Sequence, residues 1–452
     1  MVFFLYLLLC FSVLRAGAAT RIWTGAGADN KASTPANWGG AVPGNGDSIR
    51  LDATNVKDLD WDLDITISGW VQTEDYTGTV TILTEYPGQG AFNTFVIDGD
   101  AILEGGVWTH QVNPATVTEP ANEKYRLSVS VTGDFTIGPN SQLDASIKGY
   151  GTGKGPGTSG NGQQRSGASH GGRGIIMAGK FIGPTYGSIT DPINLGSGGG
   201  YSVGGGAILL EVGGTLHNDG DIMVNGAPST HYTGTGGSIM LIAGFLSGNG
   251  LVSADAGGVT SGSCVSSGGG GRVAVKLRGT GADFSAYTGK ITAYGTQQEG
   301  ALKGIAGTIY KELPNDAPGK GELLIDNFGG LNQHGAFNTD LSGAESVTYE
   351  FRSIVLVNNA QLSVGEDDTL IIENTSIVPM DNNGIWLDGG TLLTSADFEY
   401  EDYFIGISKE GSVLSPANIL FIGNNAKLIP KFCTDVQKTT GKPSGYPYII
   451  SK

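Results

Sequence analysis

Three groups of side chains have types and spacings that could do chemistry. Arg165, His170 and Arg173 fall within one Gly-rich stretch. An imidazole there could take a proton near neutral pH, and a basic cluster beside a carboxylated sugar would suit a lyase. The competing reading needs no chemistry: three polar residues among glycines make a solvated loop, and this reading is favoured. Asn338-Thr339-Asp340 and Asp367-Asp368 supply carboxyl groups. Glycosidic hydrolysis needs such groups converging within about 5–10 Å of one another. Turn and surface positions explain them without a site, and that is again the favoured reading. Asp58, Asp60, Asp62 and Asp64 alternate with Leu59, Trp61, Leu63 and Ile65, which puts four carboxylates on one strand face. Calcium takes about six to eight oxygens. Side chains two apart on a strand are roughly 7 Å apart, too far for all four to share one ion. A solvated face that discourages edge pairing is expected instead.

Other motifs carry less. Gly155-Pro156-Gly157-Thr158-Ser159-Gly160 satisfies a G-x-G-x-x-G string, but no helix follows whose N-terminus could hold a phosphate. No Cys/His cluster has zinc spacing. Tyr150, Tyr186, Tyr201 and Tyr232 stand beside glycines, where they could stack on sugar rings or anchor loops. No catalytic, cofactor-binding or metal-ligating residue is assigned, and no cofactor is expected.

The elements that would position these groups are strands. Half of the 76 glycines lie between residues 149 and 271, threaded between short apolar runs that recur every 30–36 residues. Leu216–Val224 matches Leu246–Ala254 at an offset of 30, and Ile137–Ala145 has the same form 79 residues upstream. A second ladder begins at Gly206, Gly237, Gly271 and Gly307. Each repeat can bury its apolar side only against the next, and the period-two alternation of Ile, Val and Leu makes the repeating unit β. The prediction is an all-β, mostly parallel β-helix, or β-solenoid, with a long Gly-rich flap over residues 149–206. One strand is expected within that flap, at residues 175–177.

Residues 1–19 read as a secretory signal, since their apolar run is short for a membrane span and Ala16-Gly17-Ala18 offers a cleavage site. An N-terminal anchor is the rival reading. No other stretch reaches about 18 apolar residues, so the mature chain should contain no span. Residues 20–57 form a capping segment in which Trp23 and Trp38 plug the end of the core, residues 58–314 the Gly-rich solenoid, and residues 315–452 a second solenoid segment. Beyond the signal, Cys264 and Cys433 remain; stacking in sequence order keeps them apart, as free thiols. A formal charge of −17 argues against nucleic acid and anionic membranes as partners.

Trp23-Thr24-Gly25, Asn37-Trp38 and Pro43-Gly44-Asn45-Gly46-Asp47 resemble the opening segment of large bacterial exported β-solenoid proteins. Tyr76-Thr77-Gly78-Thr79-Val80-Thr81, Val131-Thr132-Gly133-Asp134-Phe135-Thr136-Ile137 and Gly268-Gly269-Gly270-Gly271-Arg272-Val273-Ala274-Val275 look similar to them too. The resemblance covers roughly residues 20–313. It implies a right-handed β-helix of the pectin-lyase-like or autotransporter-passenger kind, secreted or at a cell surface, adhesive or structural, with a polysaccharide or cell-surface glycan as partner. Polysaccharide lyase or hydrolase activity is the alternative, as is the N-terminal part of a larger surface protein. A polygalacturonase-like enzyme would carry Asn-x-Asp, Asp-Asp, Gly-His-Gly and Arg-x-Lys in that order. Here Ser169-His170-Gly171 lies upstream of the carboxylates and no Arg-x-Lys follows.

Overall fold

The computed structural model describes residues 18–158, 166–175, 183–260, 266–296, 304–328, 339–341 and 348–372, and then 383–394, 397–401, 404–407, 413–415, 418–422 and 427–430. Among these residues there are thirty strands and two short 3-10 helices, so the fold is all-β, and the largest sheet is mostly parallel. Among the described residues no helix is long and apolar enough to cross a membrane.

That sheet is built of three columns of paired strands. The first column stacks Thr20–Ile22, Ser48–Leu51, Gly69–Gln72 and the leading half of Ala101–His110. It continues through the start of Phe135–Asp144 and the ends of Ala207–Asn218 and Ser238–Ser247. The second column runs from Leu59–Trp61 and Thr79–Ile82 to Asp221–Met223, Leu251–Ser253 and Lys290–Thr292. The third holds Thr66–Ile67, Phe95–Ile97, Leu127–Val131, Arg272–Leu277 and Thr308–Glu312. Every pairing within these columns is parallel. From Thr66 to Ser253 the chain visits them in one order, third, first, second, and then begins again.

Local sequence explains the order. Alternation turns Leu59, Trp61, Val80 and Ile82 inward and leaves Asp60 and Thr81 outside. Inside, Trp23, Trp38, Trp61, Trp70, Phe95, Trp108 and Phe135 form an unbroken aromatic file with centroid separations of 4.9–6.5 Å. Gln72, wholly buried among them, accepts from Trp70 Nε1 and Trp108 Nε1 and donates to Gly105 O. Beyond Phe135 the core turns aliphatic, with Leu216, Ile222, Ile239, Leu241 and Val252 wholly buried or nearly so.

The glycine ladder pairs in the expected register, with Ala207 opposite Ser238, Ser238 opposite Arg272, and Arg272 opposite Thr308. A Cβ at Gly237 would sit 1.8 Å from Gly206 O, and one at Gly307 1.8 Å from Gly271 O. Only glycine permits that approach. The other ladder needs one correction. Gln142 pairs with Asp221 as expected, but Ile137 pairs with Asn218 and not Leu216. Extra residues at the Gly138–Asn140 corner shift the register by two.

The described residues of the segment expected as a flap are irregular but packed. Gly149 N donates to Gly204 O, Gly172 N to Gly270 O and Gly205 N to Thr235 O, each at 2.9 Å, tying the Gly-rich stretches into one layer. Ile175 is not in a strand; residues 176–177, Arg165, Asn338, Cys264, Cys433 and residues 1–17 lie outside the described residues.

After residue 313 the chain doubles back. Glu322–Asp326 runs antiparallel to Thr308–Glu312 and parallel to Ser353–Val357. Three further sets of parallel strands follow among the described residues: Thr339–Asp340 to Lys427–Pro430, Thr348–Phe351 to Val413–Ser415, and Asp397–Glu401 with Asn418–Ile422. The first two sets share a second apolar cluster with Ala274 and Tyr310, on the outer side of the third column.

Candidate functional site

His170 and Arg173 do not form a solvated pair. His170 is wholly buried, its Nδ1 2.8 Å from Gly236 O and its ring 4.6 Å from that of Tyr186. Burial, aided by the Arg272 guanidinium, pushes the imidazole down to about 3. It is therefore neutral at any ordinary pH and shut off from substrate. The solvated-loop expectation fails because glycine lets neighbouring backbones close over the ring. Arg173 instead reaches Asp340 across 167 residues of sequence.

That contact builds the most reactive-looking cluster among the described residues. Asp340 and Asp368 are 3% and 5% exposed, contrary to the expectation of surface positions. Register explains Asp340: its strand pairs Asp340 with Ser363, a few residues before Asp368. Burial and the nearby Asp340 raise the Asp368 carboxyl to about 6. Among the described residues, Asp368 Oδ2 has no hydrogen-bond partner, and neither does Arg173 Nε. Asp367, exposed and next to Asp368 in the chain, adopts a left-handed φ of 68°. A buried carboxyl group that holds its proton more tightly than usual, beside a second buried carboxyl and a guanidinium, is the raw material of acid–base chemistry.

A second buried polar network escaped sequence reasoning. Glu123 accepts from Tyr150 Oη at 2.7 Å, Leu195 N at 2.9 Å and Asn194 Nδ2 at 3.2 Å. Burial nevertheless lifts its carboxyl to about 7. Arg126 lies over the Tyr86 ring at 4.9 Å, and Tyr86 Oη donates to Ile193 O. These contacts pin residues 111–126 against the Gly-rich layer. Every partner is distant in sequence, so no local spacing announced them.

The acidic run stays divided. Asp58 accepts from Thr79 N, Asp62 accepts from Ser33 N and Oγ, and burial with Asp62 and Asp58 nearby raises the Asp60 carboxyl. No group of three or more His, Cys, Asp or Glu side chains is placed to hold a metal ion among the described residues. Of the four tyrosines, Tyr150, Tyr186 and Tyr232 are buried and act as anchors; Tyr201 is 58% exposed.

No protein-family model matches the chain, and no significant match to a curated protein or a solved structure is found.

Proposed function

We propose that the chain is a right-handed β-solenoid that works outside the cell as a stiff structural or adhesive element binding neutral glycans. One observation carries the reading: from Thr66 onward, strands return to the same three columns in the same order, with matched parallel registers. Such stacking makes a long rigid surface without a large central core, which suits a scaffold. Residues 20–57 would cap it, residues 58–314 form its main body, and residues 315–452 a second solenoid segment. Export rests on the signal-like residues 1–19, and the acidic charge favours uncharged over anionic polymers.

A second reading is favoured by the Asp340–Arg173–Asp368 cluster: a glycoside hydrolase with Asp368 as the acid. Titrating the full chain against a polysaccharide panel, with reducing ends measured in parallel, separates the two. Binding without new reducing ends supports the scaffold. New reducing ends that disappear in Asp368→Asn support the hydrolase. Absence of binding to every polymer overturns the glycan-binding role.

A further inference from the structure

We propose that Tyr201, His231 and Tyr232 form a saccharide platform that takes one neutral pyranose ring of a β-linked glucan. The inference rests on the glycan-binding reading above and assigns its site.

Tyr201 stands 5.2 Å from the Tyr232 ring, inclined at 33°. His231, also exposed, lies 6.1 Å from Tyr201 at 76° and 6.0 Å from Tyr232. Tyr201 and His231 thus stand nearly at right angles, and the buried Tyr232 backs both. The corner is rigid for reasons visible in its backbone. Ser202 Oγ donates to Tyr232 O at 2.9 Å, locking the turn that carries Tyr201 to the segment that carries the other two rings. At Gly199, in the same turn, a Cβ would lie 2.3 Å from Thr233 O, so the two segments are in van der Waals contact. Thr230 Oγ1, 2.6 Å from His231 Nδ1, adds a hydroxyl at the rim.

A tyrosine more than half exposed yet held by two neighbouring rings gains little from folding alone. What it offers is a preorganised π-face at low entropic cost. The electron-rich face attracts polarised C–H bonds as it attracts cations. A β-glucose ring, whose hydroxyls are all equatorial, presents a face of axial C–H groups with hydroxyls around its edge. The C–H face fits Tyr201, and the hydroxyl edge meets His231 and Thr230. A uronic acid would bring a negative charge to a chain of net charge −17.

Cellohexaose and laminarihexaose titrated calorimetrically into the full chain test the assignment, with polygalacturonate as the anionic comparison. Tyr201→Ala should weaken hexasaccharide binding on the order of tenfold, about 1.4 kcal/mol, and Tyr201→Phe should stay within about twofold. The exposed ring fills no core, so the melting temperature of Tyr201→Ala should match the wild type. Equal binding by Tyr201→Ala and wild type overturns the platform while leaving the glycan reading intact. No hexasaccharide binding by the wild type overturns the platform and leaves the glycan reading to the polysaccharide panel, and tighter binding of polygalacturonate overturns the neutral class.

Discussion

A carboxyl group that accepts hydrogen bonds from Tyr150 and the Leu195 amide while almost wholly cut off from water does not titrate as a free glutamate. Glu123 is raised from 4.5 to about 7 in the folded chain. Its folded state therefore holds a proton that the unfolded chain has released. The resulting stability is fully present below about 4.5 and declines as pH rises to about 7. Between pH 5 and pH 8 the melting temperature of the wild type should fall relative to that of Glu123→Gln. The buried His110 and His170, pushed down to about 3, act with the opposite sign but equally in both proteins. Unchanged pH dependence in the variant would contradict the assignment. Asp368, raised to about 6, acts with the same sign, so Asp368→Asn should remove a separate share, read from the same melting curves. Asp340 and Asp368 were legible as chemistry-bearing types, but not as buried ones. Burial there depends on the pairing of Thr339–Asp340 with Leu362 and Ser363, which no short motif encodes.

Among elements, the glycine ladder and the aromatic file make opposite demands on space. Gly271→Ala would place a methyl 2.1 Å from Gly237 O, a backbone atom that cannot swing aside. Overpacking of this kind costs about 1–3 kcal/mol, which a urea midpoint would register. Trp108→Ala would open a cavity within the file and leave Gln72 with one partner fewer. A loss of about 3–5 kcal/mol is expected from the same unfolding curves. Both elements were readable in the spacing, the ladder from Gly206 to Gly307 and the alternation around Trp61. The two-residue slip at Ile137 was not, because extra residues at a corner leave the flanking alternation intact.

At the scale of the whole molecule, repetition revealed the all-β class and the parallel columns. It did not reveal what lies against their outer side. Residues 183–195 cross the third column there: Tyr186 O accepts from Arg272 Nε, Asp191 pairs with Lys276, and Ile189 joins the second apolar cluster. Such packing unites residues far apart in sequence and leaves no period behind. The stacking order itself can be tested through His217, which lies opposite Thr136 in one neighbouring strand and Ser247 in the other. Directly paired strands bring Cα atoms within disulfide range, whereas next-but-one strands do not. In a Cys264→Ser, Cys433→Ser background, paired cysteines should oxidise to a cross-link at 136 with 217 and at 217 with 247, but not at 136 with 247. A cross-link between 136 and 247, or none at the two adjacent pairs, would contradict the solenoid on which the proposed function stands.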